Sequence, residues 1–288
     1  MADYSRIPLL YIAGSSHSGS TLIDLVLGSH SLIESLGEAK KIPKVLQELE
    51  AGNHPRPLCS CHAAIANCDF WKTVLQLDTL GFARGSGITL DSAADLDLAR
   101  RALAFRGKTI LLDSSKNLGR LGFLAAEPGF STTCLHLTRD PRAVAYSAIR
   151  KLERSTGGSL PNRSGLLRKH AFDWASLNRK IRRRYRENRK TSYLHLRYED
   201  FVLRPDVSLL PVLMSLGLEY EPAQSRFRDF THHNIEGNRL RLQAGSDIRF
   251  DSTYLEGLSA FEWMTVTMVL LPTLSRFGYS FSRKPPVS

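Results

Sequence analysis

Two short segments carry residues whose types and spacing suit the binding of an anion. Gly14-Ser15-Ser16-His17-Ser18-Gly19-Ser20-Thr21 follows the apolar run Leu9–Ala13 and opens a helix-like stretch, Ser20–Leu27. Glycines at both ends let the backbone turn its N–H groups inward as a nest, and the helix that follows adds the positive end of its dipole. Further along, Thr133–Thr138 runs into Arg139-Asp140-Pro141 and on to Ser147. Asp140 suits the cap of a helix whose first turn takes Pro141. Arg139 then emerges at the end of a strand, and Ser147 follows about two helical turns later on the same side. A guanidinium fork and a hydroxyl are good chemistry for a phosphate. The plain alternative for Arg139 is an ion pair with Asp140 or Asp200.

The elements that must position these groups recur in one pattern. Leu9–Ala13, Thr109–Leu112, Thr133–Thr138 and Ser192–Leu196 are apolar, β-rich runs. All but the last lead through small or polar residues into helix-like stretches, Ser20–Leu27, Leu118–Ala126 and Pro141–Leu152. Strand, turn and helix in repetition predict an α/β fold with a central parallel sheet and helices on both faces. A short strand is expected at Ser31–Leu36, and long helices at Ser164–Arg189 and Ser259–Leu271. No linker divides the chain, so residues 1–288 are read as one domain. Segments 52–70, 154–163 and 231–258 look irregular and long for plain connectors, which makes 52–70 and 231–258 candidate lids over a substrate or cofactor.

Composition excludes several classes. The chain is 42% apolar and 23% charged, as expected of a globular protein rather than a disordered or collagen-like one. The apolar run Met264–Leu271 is interrupted by Thr265 and Thr267 and is short for a membrane helix. The run Ile7–Ala13 contains Pro8, follows Asp3, and reads as a first strand rather than a leader. Four cysteines, three of them crowded at Cys59, Cys61 and Cys68, fit a reducing, cytoplasmic setting better than a disulfide scaffold. The net charge of +11 is concentrated in Arg179–Lys190, where eight basic residues face only Glu187. This segment is either a solvated helix face or a patch for an anionic surface. With Tyr185 its lone aromatic residue, nucleic acid is not the expected partner.

The first segment reads G-x-x-x-x-G-S-T, one residue away from the G-x-x-x-x-G-K-[ST] loop of nucleotide hydrolases. Ser20 stands where that loop has lysine, which removes the charge that reaches β- and γ-phosphates but leaves the amide nest. Together the two segments resemble those of the PAPS-dependent sulfotransferases. Gly14–Leu22 resembles the loop that holds the 5′-phosphosulfate, and Arg139–Ser147 the motif that holds the 3′-phosphate. Ser35-Leu36-Gly37-Glu38-Ala39-Lys40-Lys41-Ile42-Pro43 resembles the Gly-Glu segment of tyrosylprotein sulfotransferases, and Asp113-Ser114-Ser115-Lys116 a strand end whose lysine reaches the active site.

The resemblance implies a P-loop-like fold and sulfuryl transfer from PAPS to a hydroxyl or amine, leaving adenosine 3′,5′-bisphosphate. It implies Glu38 as general base and Lys116 and His17 as donors at the leaving phosphate. It further implies Ser16, His17, Ser18, Gly19, Ser20 and Thr21 at the 5′ end of the donor, Arg139 and Ser147 on the 3′-phosphate with Arg241 closing from the late loop, Tyr198 near the adenine, and no metal. His17 departs from the family, which usually has lysine or arginine there. The acceptor is open among small metabolite, carbohydrate, lipid and peptide.

Competing readings stand beside these. An ATP- and Mg²⁺-dependent small-molecule kinase of the same fold would use Asp113 to hold its metal, and a non-catalytic anion or nucleotide binder would need only the loop. Glu38 could serve merely as a helix cap or a lysine partner. Cys59-x-Cys61-His62-x5-Cys68 reads as buried cysteines near Phe70 and Trp71, with zinc as the alternative. His232-His233 is expected in a hinge or binding loop, since adjacent side chains point apart. His136 is expected as a satisfied core histidine, and Trp263, Met264 and Met268 as core.

Overall fold

The computed structural model describes residues 6–54, 58–77, 92–186, 191–245 and 247–284. In chain order the regular elements are β1 (Ile7–Gly14), α1 (Ser20–Gly28), β2 (Ile33–Ser35), α2 (Ile42–Glu50), α3 (Asp69–Leu75), α4 (Ser92–Arg106) and β3 (Ile110–Asp113). There follow α5 (Leu118–Ala126), β4 (Phe130–Thr138), α6 (Pro141–Thr156), α7 (Arg163–Ile181), β5 (Ser192–Arg197), α8 (Tyr198–Leu203), α9 (Pro205–Ser215), α10 (Thr253–Gly257) and α11 (Ala260–Arg276). The strands form one five-stranded sheet in the order β2-β3-β1-β4-β5, and every pairing is parallel. The expected α/β architecture is present.

Strand β1 explains the arrangement. It lies at the centre of the sheet and is buried from Leu9 to Gly14, as its unbroken apolar run requires of a strand covered on both faces. Its residues alternate: Leu9, Tyr11 and Ala13 join a core with α2, α3 and α4, while Leu10 and Ile12 join another with α1, α8 and α9. A third core lies among α6, α7 and α11. Because all strands are parallel, their carboxyl ends share one edge. The chain leaves β1 towards β2 on one side, and leaves β4 towards β5 on the other. The order therefore reverses beside β1, where open parallel sheets leave a crevice for ligands. The loop after β1 and the loop after β4 face each other across it.

Three expectations change. Met264 and Met268 are 55% and 62% exposed, whereas Trp263 is buried. Trp263, Val266, Leu270 and Leu274 repeat at helical spacing and take the inward face of α11, which turns the methionines outward. The same helix continues through Pro272 to Arg276 instead of ending at Leu271. The long basic helix ends at Ile181 and widens into a π-helical turn over Arg182–Arg186; its expected continuation over 187–189 lies outside the described residues. His136 is buried as expected, bonded to the Tyr193 hydroxyl at 2.7 Å and to Asn178 Oδ1 at 2.8 Å.

Candidate active site

The loop after β1 is shaped by two close approaches. A Cβ on Gly14 would lie 2.3 Å from the Leu137 carbonyl of β4, and a Cβ on Gly19 would lie 2.3 Å from the Tyr198 ring. Gly19 also takes a left-handed φ of 88° at the start of α1, a conformation that costs an L side chain about 1–2 kcal/mol. Inside the turn the hydroxyls of Ser15 and Ser18 are buried and have no hydrogen-bond partner among the described residues. Buried polar groups normally find one, so these hydroxyls, with the amides at the head of α1, fit an anionic ligand. Ser16 is exposed at the tip and Ser20 is buried within the first turn of α1. Thr21 Oγ1 accepts from the Asn238 amide of the late loop at 3.3 Å.

His17 crosses to the second segment. Its ring Nδ1 lies 3.2 Å from Ser147 Oγ, and its carbonyl accepts from Arg139 at 3.2 Å. Burial pushes the His17 imidazole down to about 4, with Lys151 and Arg139 adding to the effect. The ring is therefore neutral at physiological pH in the absence of an anion. Arg139 is 7% exposed and lies over the Tyr198 ring at 4.7 Å. Its ion-pair partner is Asp251 of the late loop at 2.8 Å, and neither Asp140 nor Asp200. Asp140 instead caps α6 through the Arg142 amide and pairs with the Arg142 guanidinium.

A second cluster forms where the carboxyl ends of β2 and β3 meet. Glu38 follows β2 through Gly37, and Lys116 follows β3 with a left-handed φ of 59°. Lys116 Nζ donates to Glu38 Oε1 at 2.7 Å and to the Ser114 carbonyl at 3.1 Å. Lys41 reaches Glu38 Oε2 at 2.7 Å and Glu236 at 3.1 Å. Burial raises the Glu38 carboxyl, but Lys116 and then Lys41 more than offset this and hold it below the usual carboxylate range. Glu38 stands at the N-cap position of the short turn Ala39–Lys41 without a side-chain capping bond, and it pairs with two lysines, of which Lys41 is 47% exposed. It is a half-sheltered carboxylate between two ammonium groups.

Most residues singled out in the sequence meet at this edge. Tyr198 is buried as the platform beneath Gly19 and Arg139. Arg241 is placed differently from its expected role: its buried guanidinium donates to the carbonyls of Leu58 and Asn234 at 2.8 and 3.0 Å, tying the late loop to the 52–70 segment. Asp113 is sealed by Arg120 at 2.7 Å and by the Ser115 amide at 2.8 Å, with its side chain 1% exposed. A metal-holding aspartate needs an open face, which this one lacks. Lys41 was given no role by the sequence reading, and Glu236 and Asp251 escaped it. Lys41, three residues from Glu38, had a local signal, whereas Glu236 and Asp251 arrive from a distant loop.

A profile described as "Sulfotransferase family" matches residues 8–222, which spans both segments and the Glu38–Lys116 pair. The chain belongs to the sulfotransferase family. It is 22% identical over 99% of its length to a protein-tyrosine sulfotransferase of Drosophila melanogaster, and it spans about half of that relative, 54%. Among solved structures it is similar to a sulfotransferase domain from the curacin biosynthetic pathway, with a TM-score of 0.56 and 19% identity over 96% of this chain and 99% of the other. It is also similar to the sulfotransferase domain of the Synechococcus PCC 7002 olefin synthase, with a TM-score of 0.53 and 18% identity over 97% and 98% of the two chains. These likenesses carry the fold. No described helix is long and apolar enough to cross a membrane.

Proposed function

We propose that this sulfotransferase moves the sulfuryl group of PAPS to a hydroxyl or amine of its acceptor, with Glu38 as the general base. The observation that carries the reading is the contact between Glu38 and Lys116, brought from two different strand ends to 2.7 Å at the edge that also bears the phosphate-type loop. PAPS, when bound, supplies a sulfuryl group already activated by its bond to a phosphate. The loop hydroxyls of Ser15 and Ser18, the head of α1, and the Arg139–Ser147 pair fit its two anionic ends. The acceptor oxygen or nitrogen forms a bond to sulfur while the sulfur–oxygen bond to the phosphate breaks. Glu38 takes the acceptor's proton, and Lys116, already 2.7 Å from that carboxylate, can turn its ammonium to the oxygen that gains charge. Lys41 remains to balance Glu38.

The kinase reading loses its metal-holding residue to the Arg120 ion pair. A purely binding role leaves the half-buried Glu38–Lys116 contact without a purpose. Thermal unfolding with adenosine 3′,5′-bisphosphate, beside ADP with Mg²⁺, tests the donor site. Ligand at about a hundred times its dissociation constant stabilises a fold by roughly 2.7 kcal/mol. A rise with the bisphosphate that shrinks to half or less in Arg139→Ala supports the reading, and a rise with ADP and Mg²⁺ alone overturns it. Transfer from labelled PAPS to an acceptor mixture then tests the reaction. Arg179, Lys180, Arg182 and Arg183, which with Ser176 and Arg276 line an open cavity of about 450 Å³, are where we place contact with an anionic surface.

A further inference from the structure

Three cysteines of the 52–70 segment and one histidine of the late loop converge at a point outside the phosphate-type loop. Cys68 Sγ lies 3.7 Å from Cys61 Sγ, 3.8 Å from Cys59 Sγ and 3.3 Å from His233 Nδ1. Cys59 Sγ lies 3.8 Å from the same nitrogen, and the four donor atoms are all within 4.8 Å of one another. Tetrahedral zinc, with Zn–S of about 2.3 Å and Zn–N of about 2.0–2.1 Å, sets sulfur–sulfur edges of about 3.8 Å and sulfur–nitrogen edges of about 3.6 Å. A disulfide would need its sulfurs at about 2.05 Å, and all three cysteines are free thiols.

The residues around the cluster hold these donors in place. The Cys59 amide donates to the Ala63 carbonyl at 2.9 Å and closes a tight turn, and His62 sits exposed in it with φ 66°. His62 is the histidine nearest the cysteines in sequence, but His233 takes the fourth corner. The neighbouring His232 turns the other way, to the Phe227 carbonyl at 2.7 Å. The His233 ring is stacked on Phe70 at 4.6 Å, and its carbonyl accepts from Trp71 Nε1 at 2.6 Å. A chain of thiol hydrogen bonds would account for the sulfur contacts alone. Such a chain can also end on the imidazole, through a thiol proton donated to His233 Nδ1, but a single ion accounts at once for all four donor atoms lying within 4.8 Å of one another.

We propose that Cys59, Cys61, Cys68 and His233 bind one structural zinc ion, closing a C-x-C-x6-C turn onto the late loop. Binding displaces the thiol protons to solvent and involves no redox change. The ion clips together two segments that regular structure does not join. Its consequence for the active site runs through the next residues. Asn234 donates to the buried Asp24 at 2.6 Å and its side chain lies against Gly37, and Glu236 holds Lys41. The clip therefore fixes the wall of the pocket that contains Glu38.

The test is metal analysis of the full chain purified without chelator and again after refolding with equimolar zinc. One zinc per chain is expected, retained in His62→Ala and lost or sharply weakened in His233→Ala and Cys61→Ser. Should those variants fail to fold, cobalt exchange into the unaltered protein decides the question. Intense visible bands of a tetrahedral thiolate site support the proposal, and the pale spectrum of the aquo ion overturns it. Absence of zinc from the refolded protein, thiols equally reactive with and without chelator, or a native disulfide among the three cysteines would each also overturn it.

Discussion

The two halves of the candidate site are built on opposite electrical principles. Around Glu38 every charge has a partner: two ammonium groups neutralise two carboxylates, and the cluster is complete as it stands. Around Gly14–Thr21 the polar groups wait. Two serine hydroxyls are buried without partners among the described residues, a histidine has its pKa pushed down to about 4 by burial, and an arginine is held by one aspartate from a loop. A self-neutralised cluster keeps its geometry in the empty enzyme and holds a base in its charged form. A cradle of unpaired donors gains most when an anion arrives. The difference places the preformed chemistry with Glu38 and the ligand-dependent ordering with the loop.

Four changes test that division. The largest effect is expected from Glu38→Gln, which keeps the shape and removes the base: turnover should fall by roughly a hundred- to ten-thousandfold with little change in bisphosphate affinity. Parent turnover in this variant, measured with PAPS and an identified acceptor, would remove Glu38 from the mechanism. Arg139→Ala should do the reverse. Loss of a charge-assisted contact costs about 1.5–3 kcal/mol, read by calorimetry as a bisphosphate affinity weakened by one to two orders of magnitude.

Asp251→Asn should tighten the bisphosphate, up to about fivefold, because a half-exposed ion pair that competes for Arg139 is worth about 1 kcal/mol at most. Weaker binding would make Asp251 a ligand-side residue instead. The smallest effect concerns pH. The imidazole of His17 lies near 4 in the free protein, and a neighbouring phosphate must raise it. Binding then takes up a proton, so affinity should rise as pH falls from neutral and level off near 4. His17→Lys stays charged throughout and should lack this component, visible as the difference between the two pH profiles.

Much of this was legible in the residues because the signals are local. A loop between a strand and a helix announces itself through Gly14 and Gly19, and an N-cap through Asp140-Pro141. The helices α3, α4, α8, α9 and α10 were not anticipated, since their weak or short apolar stripes are stabilised by packing rather than by their own pattern. Residues that come from the far loop were the least legible. Asp251 on Arg139 and His233 among the cysteines are contacts across more than a hundred residues. Arg241 shows the converse, since a basic residue in a suggestive loop is used to hold backbone. Met264 and Met268 were assigned inward because their spacing is helical, but spacing alone does not say which of two faces is buried.

The Tyr198 ring against Gly19 sets the order in which the molecule can mature. Strand β1 and the glycine-bearing turn leave the ribosome well before α8, yet the turn is wedged into shape by α8, and Thr21 meets its late-loop partner 217 residues downstream. Contacts at such separation form late, after the local helices. The anion cradle is therefore absent from the nascent chain until β5 has docked, so a growing chain would not sequester nucleotide before it can use it.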